Sequence, residues 1–144
     1  MKIRDILSAK GHGVVTASPR ETVLSAMRTL VEHNIGAVVI MEEGAIVGIL
    51  SERDVLRLGA RSPEALAETS VGEAMTRELV VGVPDDDVHY AMGVMTQNRV
   101  RHLPIVHDDR LEGIVSIGDL VNACRKAMEV ENRYLRDYIQ GAAY

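Results

Sequence analysis

The 144-residue sequence has no tryptophan and no phenylalanine, one cysteine, four prolines and no basic excess, with 16 Lys and Arg against 21 Asp and Glu. Each shortage excludes something. Without Trp or Phe, the core has to be packed from Val, Ile, Leu, Met and Ala. A lone Cys124 cannot close an intramolecular disulfide, and the chain opens without an apolar leader, so the expected compartment is the cytoplasm. A formal net charge of -5 argues against a nucleic-acid-binding surface, which gathers basic residues on one face. Apolar runs such as Ala37 to Met41 are far too short to span a bilayer, so no membrane segment is expected. What remains is ordinary globular composition, 47% hydrophobic and 26% charged. This length suits one compact domain, or two small motifs that must share a core because neither buries enough surface alone.

The chain is internally duplicated. Val14 to Leu56 overlays Leu79 to Val121 without a gap at an offset of 65, with 10 identities among 43 pairs. Chance at ordinary composition gives about three. The identities include Pro19/Pro84, Val23/Val88, Ala26/Ala91, Met27/Met92, Gly48/Gly113, Ile49/Ile114, Ser51/Ser116 and Asp54/Asp119. A lead-in, Ile3 to Leu7 against Val71 to Met75, matches at an offset of 68, so repeat one carries three extra residues around Lys10 to Gly13.

Each repeat reads as strand, helix, strand, strand, helix. In repeat one, Val14 to Thr16 form a strand, and Ser18-Pro19-Arg20-Glu21 has the capping serine, first-turn proline and glutamate that start a helix. Val23, Met27, Leu30 and Val31 fall at helical spacing as a core stripe, which Asn34 and Gly36 stop. Ala37 to Met41 and Ala45 to Leu50 are strands around a Glu42-Glu43-Gly44 hairpin, and Ser51 caps a second helix. Repeat two predicts a strand at Leu79 to Val83, a helix from about Asp85 to Gln97, strands at His102 to Val106 and Leu111 to Val115, and a helix opened by Ser116. Gly59 to Ser70 reads as a connection, and Leu120 to Gln140 as a helix broken near Val130. The divisions are 1–65, 66–127 and a helical extension 128–144.

Chemistry concentrates in Gly48-Ile-Leu-Ser51-Glu-Arg-Asp54 and Gly113-Ile-Val-Ser116-Ile-Gly-Asp119, where a strand passes through serine into a helix whose third residue is aspartate. Free N–H groups and the positive end of the helix dipole attract phosphate there, and a carboxylate accepts hydrogen bonds from a ribose diol. Ser-x-x-Asp is equally a plain capping box. Two copies in register, together with Ile35-Gly36-Ala37, Arg101-His-Leu-Pro-Ile105 and Val115-Ser-Ile-Gly-Asp-Leu120, resemble the CBS domain family over nearly the whole chain, and in particular small bacterial proteins made only of a CBS pair.

That resemblance implies an α/β (α+β) module of two βαββα motifs with pseudo-two-fold symmetry, two clefts between the repeats, and homodimerisation. It implies a non-catalytic regulatory role, with an adenosyl ligand such as AMP, ADP, ATP or NAD(H) sensed and reported to an unidentified partner protein. The alternative is a ligand-free dimerisation or scaffold module. Carried onto this chain, the resemblance assigns Asp54 and Asp119 to ribose hydroxyls and Ser51 and Ser116 to phosphate or ribose. Thr16, Val38, Val81, Leu103 and Pro104 would line the base, and Arg53, Arg101 and His102 would meet phosphates. The two sites are unequal, because Gly36-Ala37 faces Arg101-His102 in the alignment, and Arg53 faces Gly118.

The remaining features have plainer readings. Asp85-Asp86-Asp87 suits the first turn of a helix, where acids favour the dipole. The five histidines show no metal-ligand spacing, so no metal is expected. Met27, Met92 and Met95 read as core, Cys124 as a packing residue, and Lys10, in the extra loop of repeat one, as a solvated lysine, with contact to a phosphate as the alternative.

Overall fold

The computed structural model of the chain describes residues 1–141. It contains α1 (Ile3–Lys10), β1 (Thr16–Ala17), α2 (Val23–His33), β2 (Ala37–Glu42), β3 (Ala45–Ser51), α3 (Glu52–Arg61), α4 (Ala65–Glu68), α5 (Val71–Ala74), α6 (Val88–Asn98), β4 (His102–His107), β5 (Arg110–Ser116) and α7 (Ile117–Gly141). Repeat one carries a three-stranded sheet in the order β1-β2-β3, and repeat two a two-stranded sheet, β4-β5. Both hairpins turn through two residues with positive φ, Glu43 and Gly44 in one and Asp108 and Asp109 in the other. This is the primed-turn geometry that matches strand twist.

Two hydrophobic cores form, and each is completed by the other repeat's lead-in. Ile3, Ile6 and Leu7 of α1 pack with Val88, Met95, Leu103, Ile105, Val115 and Leu120 of repeat two. Val71 and Met75, from the lead-in of repeat two, pack with Val23, Leu30, Val38, Ile40 and Leu50 of repeat one. The backbone repeats the exchange bond for bond. Ile3, Arg4 and Val88 donate N–H groups to Asp86, Pro84 and Met1 at 2.9, 2.9 and 3.1 Å, just as Val71, Gly72 and Val23 donate to Glu21, Pro19 and Thr69 at 2.7, 2.9 and 2.9 Å. Gly48 and Gly113 follow from this. A Cβ on Gly113 would lie 2.6 Å from Leu7 Cδ2, and one on Gly48 would lie 2.5 Å from Met75 Sδ.

Several local expectations give way to this packing. Ser18 to Glu21 make the reciprocal bond expected of a cap, Ser18 N–H to Glu21 Oε2 at 2.7 Å, but as a turn; the helix starts later, at Val23, with Thr22 Oγ1 accepting from Ser25 N–H. The carbonyls of Pro19 and Glu21 are taken by the α5 backbone, so the chain cannot coil there. Likewise α6 starts at Val88, capped by Asp87, while Asp86 accepts from Val83 N–H and Asp85 pairs with Arg4. The acidic triplet therefore precedes and caps the helix rather than forming its first turn. The His89 backbone N–H holds the Asp87 carboxyl below its ordinary pKa.

The strand expected at Leu79 to Val83 shrinks to a single parallel bridge, Gly82 to Ile105, with Gly82 N–H on Pro104 O and Val106 N–H on Gly82 O. The next rung towards the amino end needs an N–H from residue 104, which is proline. Val39 occupies that position in repeat one, where the ladder forms between Thr16 and Val39. Helix α3 extends to Arg61 and α4 lies inside the expected connection. Val31 is 76% exposed and outside the core stripe. Helix α7 runs unbroken for 25 residues past Val130, with no proline to interrupt it. Residues 142–144 of the expected extension lie outside the described residues.

Candidate functional site

The two Ser-x-x-Asp elements sit where the sequence places them, at the strand-to-helix junctions β3–α3 and β5–α7. Each is pinned from behind in the same way: Glu52 N–H donates to Gly36 O at 2.9 Å, and Ile117 N–H to Arg101 O at 2.8 Å. Each is also a capping box. Asp54 Oδ2 accepts from Ser51 N–H at 2.9 Å, and Asp119 Oδ2 from Ser116 N–H at 2.8 Å, with the return bonds at 3.4 and 3.1 Å. Capping and ligand reading are thus compatible, because the cap leaves the second carboxylate oxygen to other donors.

The donors beyond the cap differ, and of them only Thr76 uses the second oxygen. At Asp54 they are neutral hydroxyls, Ser51 Oγ on Oδ2 at 3.1 Å and Thr76 Oγ1 on Oδ1 at 3.4 Å. At Asp119 the donor is an ammonium: Lys10 Nζ bonds Oδ2 at 2.6 Å and Ile114 O at 2.9 Å. Burial pushes the Asp119 carboxyl up, but the hydrogen bond from Lys10 and the backbone bond from Ser116 outweigh it, and the group sits below its ordinary pKa.

His102 stands between the repeats. A Cβ on Gly36 would lie 3.0 Å from its ring and would also collide with Glu52 Oε1, so Gly36 leaves the space that these two side chains occupy. Burial holds the His102 pKa below its ordinary value. The charge of Glu52 opposes that shift, Lys10 adds to it, Asp119 opposes it and Arg101 adds to it. His102 thus feels the charges of Asp119 and Arg101, whereas Arg53 is exposed on α3 beside Asp54.

The base-lining assignments divide. Thr16 and Val81 are exposed, Val81 to 42%. Val38 and Leu103 are 0% and 1% exposed inside the two cores, and Pro104 is also buried. Val38 and Leu103 belong to the two core clusters, whereas Pro104, adjacent to Leu103 on β4, belongs to neither. Sequence reading missed Thr76, Glu52 and the role of Lys10. It also missed an open groove of about 730 Å³ along α3, lined by Asp54, Arg57, Arg61, Ser62, Thr69 and Glu73, which shares only Asp54 with the expected set. Arg57 and Arg61 stand one and two turns beyond Asp54, a signal legible only once α3 is known to continue that far. Cys124 packs as expected, its thiol 3.7 Å from Met92 Sδ.

Before any comparison, these features define a class: a duplicated α/β module with two equivalent helix starts, each presenting a serine and an aspartate. The family model for the CBS domain matches residues 3–61 and again 71–126, and the chain belongs to the CBS domain family. The CBS-domain protein ATU1752 of Agrobacterium tumefaciens superposes with a TM-score of 0.82 at 39% identity, covering 85% of this chain and 98% of that one. YhcV of Bacillus subtilis is 40% identical over 108 residues, 74% of this chain and 76% of the relative. The CBS pair of protein MJ0100, in complex with 5′-methylthioadenosine and S-adenosyl-L-methionine, superposes with a TM-score of 0.79 at 26% identity, over 88% of this chain and 98% of that one. Among the described residues, no helix is long and apolar enough to cross a membrane.

Proposed function

We propose that the chain is a non-catalytic regulatory module that binds an adenosyl ligand, an adenine nucleotide such as AMP, ATP or NAD(H), at its Ser-x-x-Asp helix starts. The observation that carries this reading is the pair of carboxylates, Asp54 and Asp119, each held by one oxygen in its own cap at a helix dipole's positive end. The adenosyl compounds bound by the CBS pair of MJ0100 support it. The ligand acts by favouring one arrangement of the repeats over another in proportion to its differential affinity, and a partner protein reads the change.

Thermal melts with 5′-methylthioadenosine, S-adenosylmethionine, AMP, ADP, ATP, NAD and NADH test this. A true ligand at one hundred times its Kd stabilises by about 2.7 kcal/mol, and the Asp54→Ala, Asp119→Ala double variant loses the shift. No shift with any compound overturns the reading.

One observation favours the scaffold alternative. The distal half of α7 exposes Met128 (62%), Leu135 (49%), Tyr138 (68%) and Ile139 (68%) at helical spacing. That reading predicts an oligomer in sedimentation whose state is indifferent to every compound above.

A further inference from the structure

Resting on the adenosyl reading, we infer that Lys10 decides which of the two helix starts takes the ligand: it occupies the Asp119 carboxylate from within the chain and leaves Asp54 as the single open site. A ribose diol reads a carboxylate by donating one hydroxyl to each oxygen. At Asp119, Oδ2 already accepts both the Ser116 N–H and the Lys10 ammonium, the latter at 2.6 Å. The same ammonium is held a second time, by Ile114 O at 2.9 Å. The pair is only partly open to water, with side-chain exposures of 39% for Lys10 and 27% for Asp119. Asp119 Oδ1 stays open to one hydroxyl, but a diol that takes both oxygens has to displace the short, charge-assisted bond at Oδ2 and leave the ammonium without its carboxylate partner. At Asp54, Oδ2 accepts the matching Ser51 N–H at 2.9 Å, and the further occupants are hydroxyls on Oδ2 and Oδ1 at 3.1 and 3.4 Å, longer and uncharged, which turn away without separating charge.

The asymmetry has a visible origin in the lead-ins. After Met75 the chain extends, and Thr76 exchanges backbone bonds with Ile49, N–H to O at 3.0 and 2.9 Å. The equivalent stretch after Leu7 stays helical to Lys10, so no backbone reaches Ile114 in that way. The Lys10 side chain takes the Ile114 carbonyl instead, which brings its ammonium onto Asp119.

Calorimetric titration with 5′-methylthioadenosine, which carries no phosphate, and in parallel with AMP and ATP, tests the assignment. The wild-type chain is expected to bind one equivalent per chain, and Lys10→Met two. Lys10→Arg, which keeps the cation, stays at one. Adding Asp119→Ala to Lys10→Met returns the count to one. Two equivalents on the wild type, or one on Lys10→Met, overturn the inference while leaving adenosyl binding intact. A loss of ten-fold or more in AMP or ATP affinity on Lys10→Met, with 5′-methylthioadenosine unaffected, also overturns it and makes Lys10 a phosphate ligand. Failure of all three probes to bind any variant removes the adenosyl reading and this inference together.

Discussion

The lead-ins of the two repeats begin alike and end differently. Ile3 and Val71 enter opposite cores through matching backbone bonds, and Leu7 and Met75 press on matching glycines. Beyond that point α1 continues to Lys10, whereas α5 stops at Ala74 and the chain extends into Thr76. The consequence reaches the helix starts, where Asp119 faces an ammonium and Asp54 faces hydroxyls. A duplication thus supplies two equivalent frames, and a few residues outside the aligned body make the two sites chemically unequal. The sheets differ for a similarly small reason, since Pro104 in place of Val39 removes the N–H that would extend the short first strand of repeat two.

The largest effect that probes this comparison comes from truncating the two exchanged anchors. Leu7→Ala is expected to cost about 2–5 kcal/mol in urea denaturation, and Met75→Ala to fall toward the lower end of that range, because Leu7 is 1% exposed and Met75 8%. A loss below about 0.5 kcal/mol for either would mean that its lead-in does not complete the opposite core.

A smaller effect is expected from the glycines beneath those anchors. Gly48→Ala and Gly113→Ala overpack against Met75 and Leu7 and should each cost about 1–3 kcal/mol. Gly93→Ala is the control: it lies in α6 with nothing within 4 Å of its Cβ, and should stabilise by about 0.5–1 kcal/mol through helix propensity. Urea midpoints that fall equally for all three would deny the glycines their packing role.

The smallest effect separates the repeats by pH. His102 aligns with Ala37, so only repeat two titrates at this position. Because burial lowers its folded pKa below 6.5, the neutral ring is favoured in the native state, and the unfolded chain binds the proton first. Stability from this source is present above pH 6.5 and declines as pH falls from there to the folded pKa. His102→Gln should flatten that decline, as read from denaturation midpoints across the window. An unchanged slope would place the titration elsewhere. Asp119 acts in a separate window, since its lowered carboxyl pKa contributes stability above about 3.8 that is lost as pH falls through the folded value.

Much of the site and fold was legible beforehand because it is written in short-range terms. The Ser51/Asp54 and Ser116/Asp119 pairs span three residues and close on themselves. The hairpins announce themselves through turn residues, and the amphipathic helices through their period. Where the reading failed, a distant partner had intervened. Ser18 to Glu21 had the form of a helix start, but the carbonyls of Pro19 and Glu21 are taken by α5. Val38 and Leu103, which the resemblance assigns to the base, are members of the cores, a burial that strand positions alone do not reveal.

The sequence by itself determined that this protein is two copies of one strand-and-helix grammar with a serine and an aspartate at each second helix start, since periodicity, caps and turns are local properties. Tertiary structure alone decided which core each lead-in completes. Ile3 with Leu7 and Val71 with Met75 form nearly the same apolar pattern, which by itself assigns neither lead-in to a core. It alone also brought Lys10 to Asp119 across 109 residues, because an ion pair depends on where the two elements dock and leaves no mark on the periodicity of either segment.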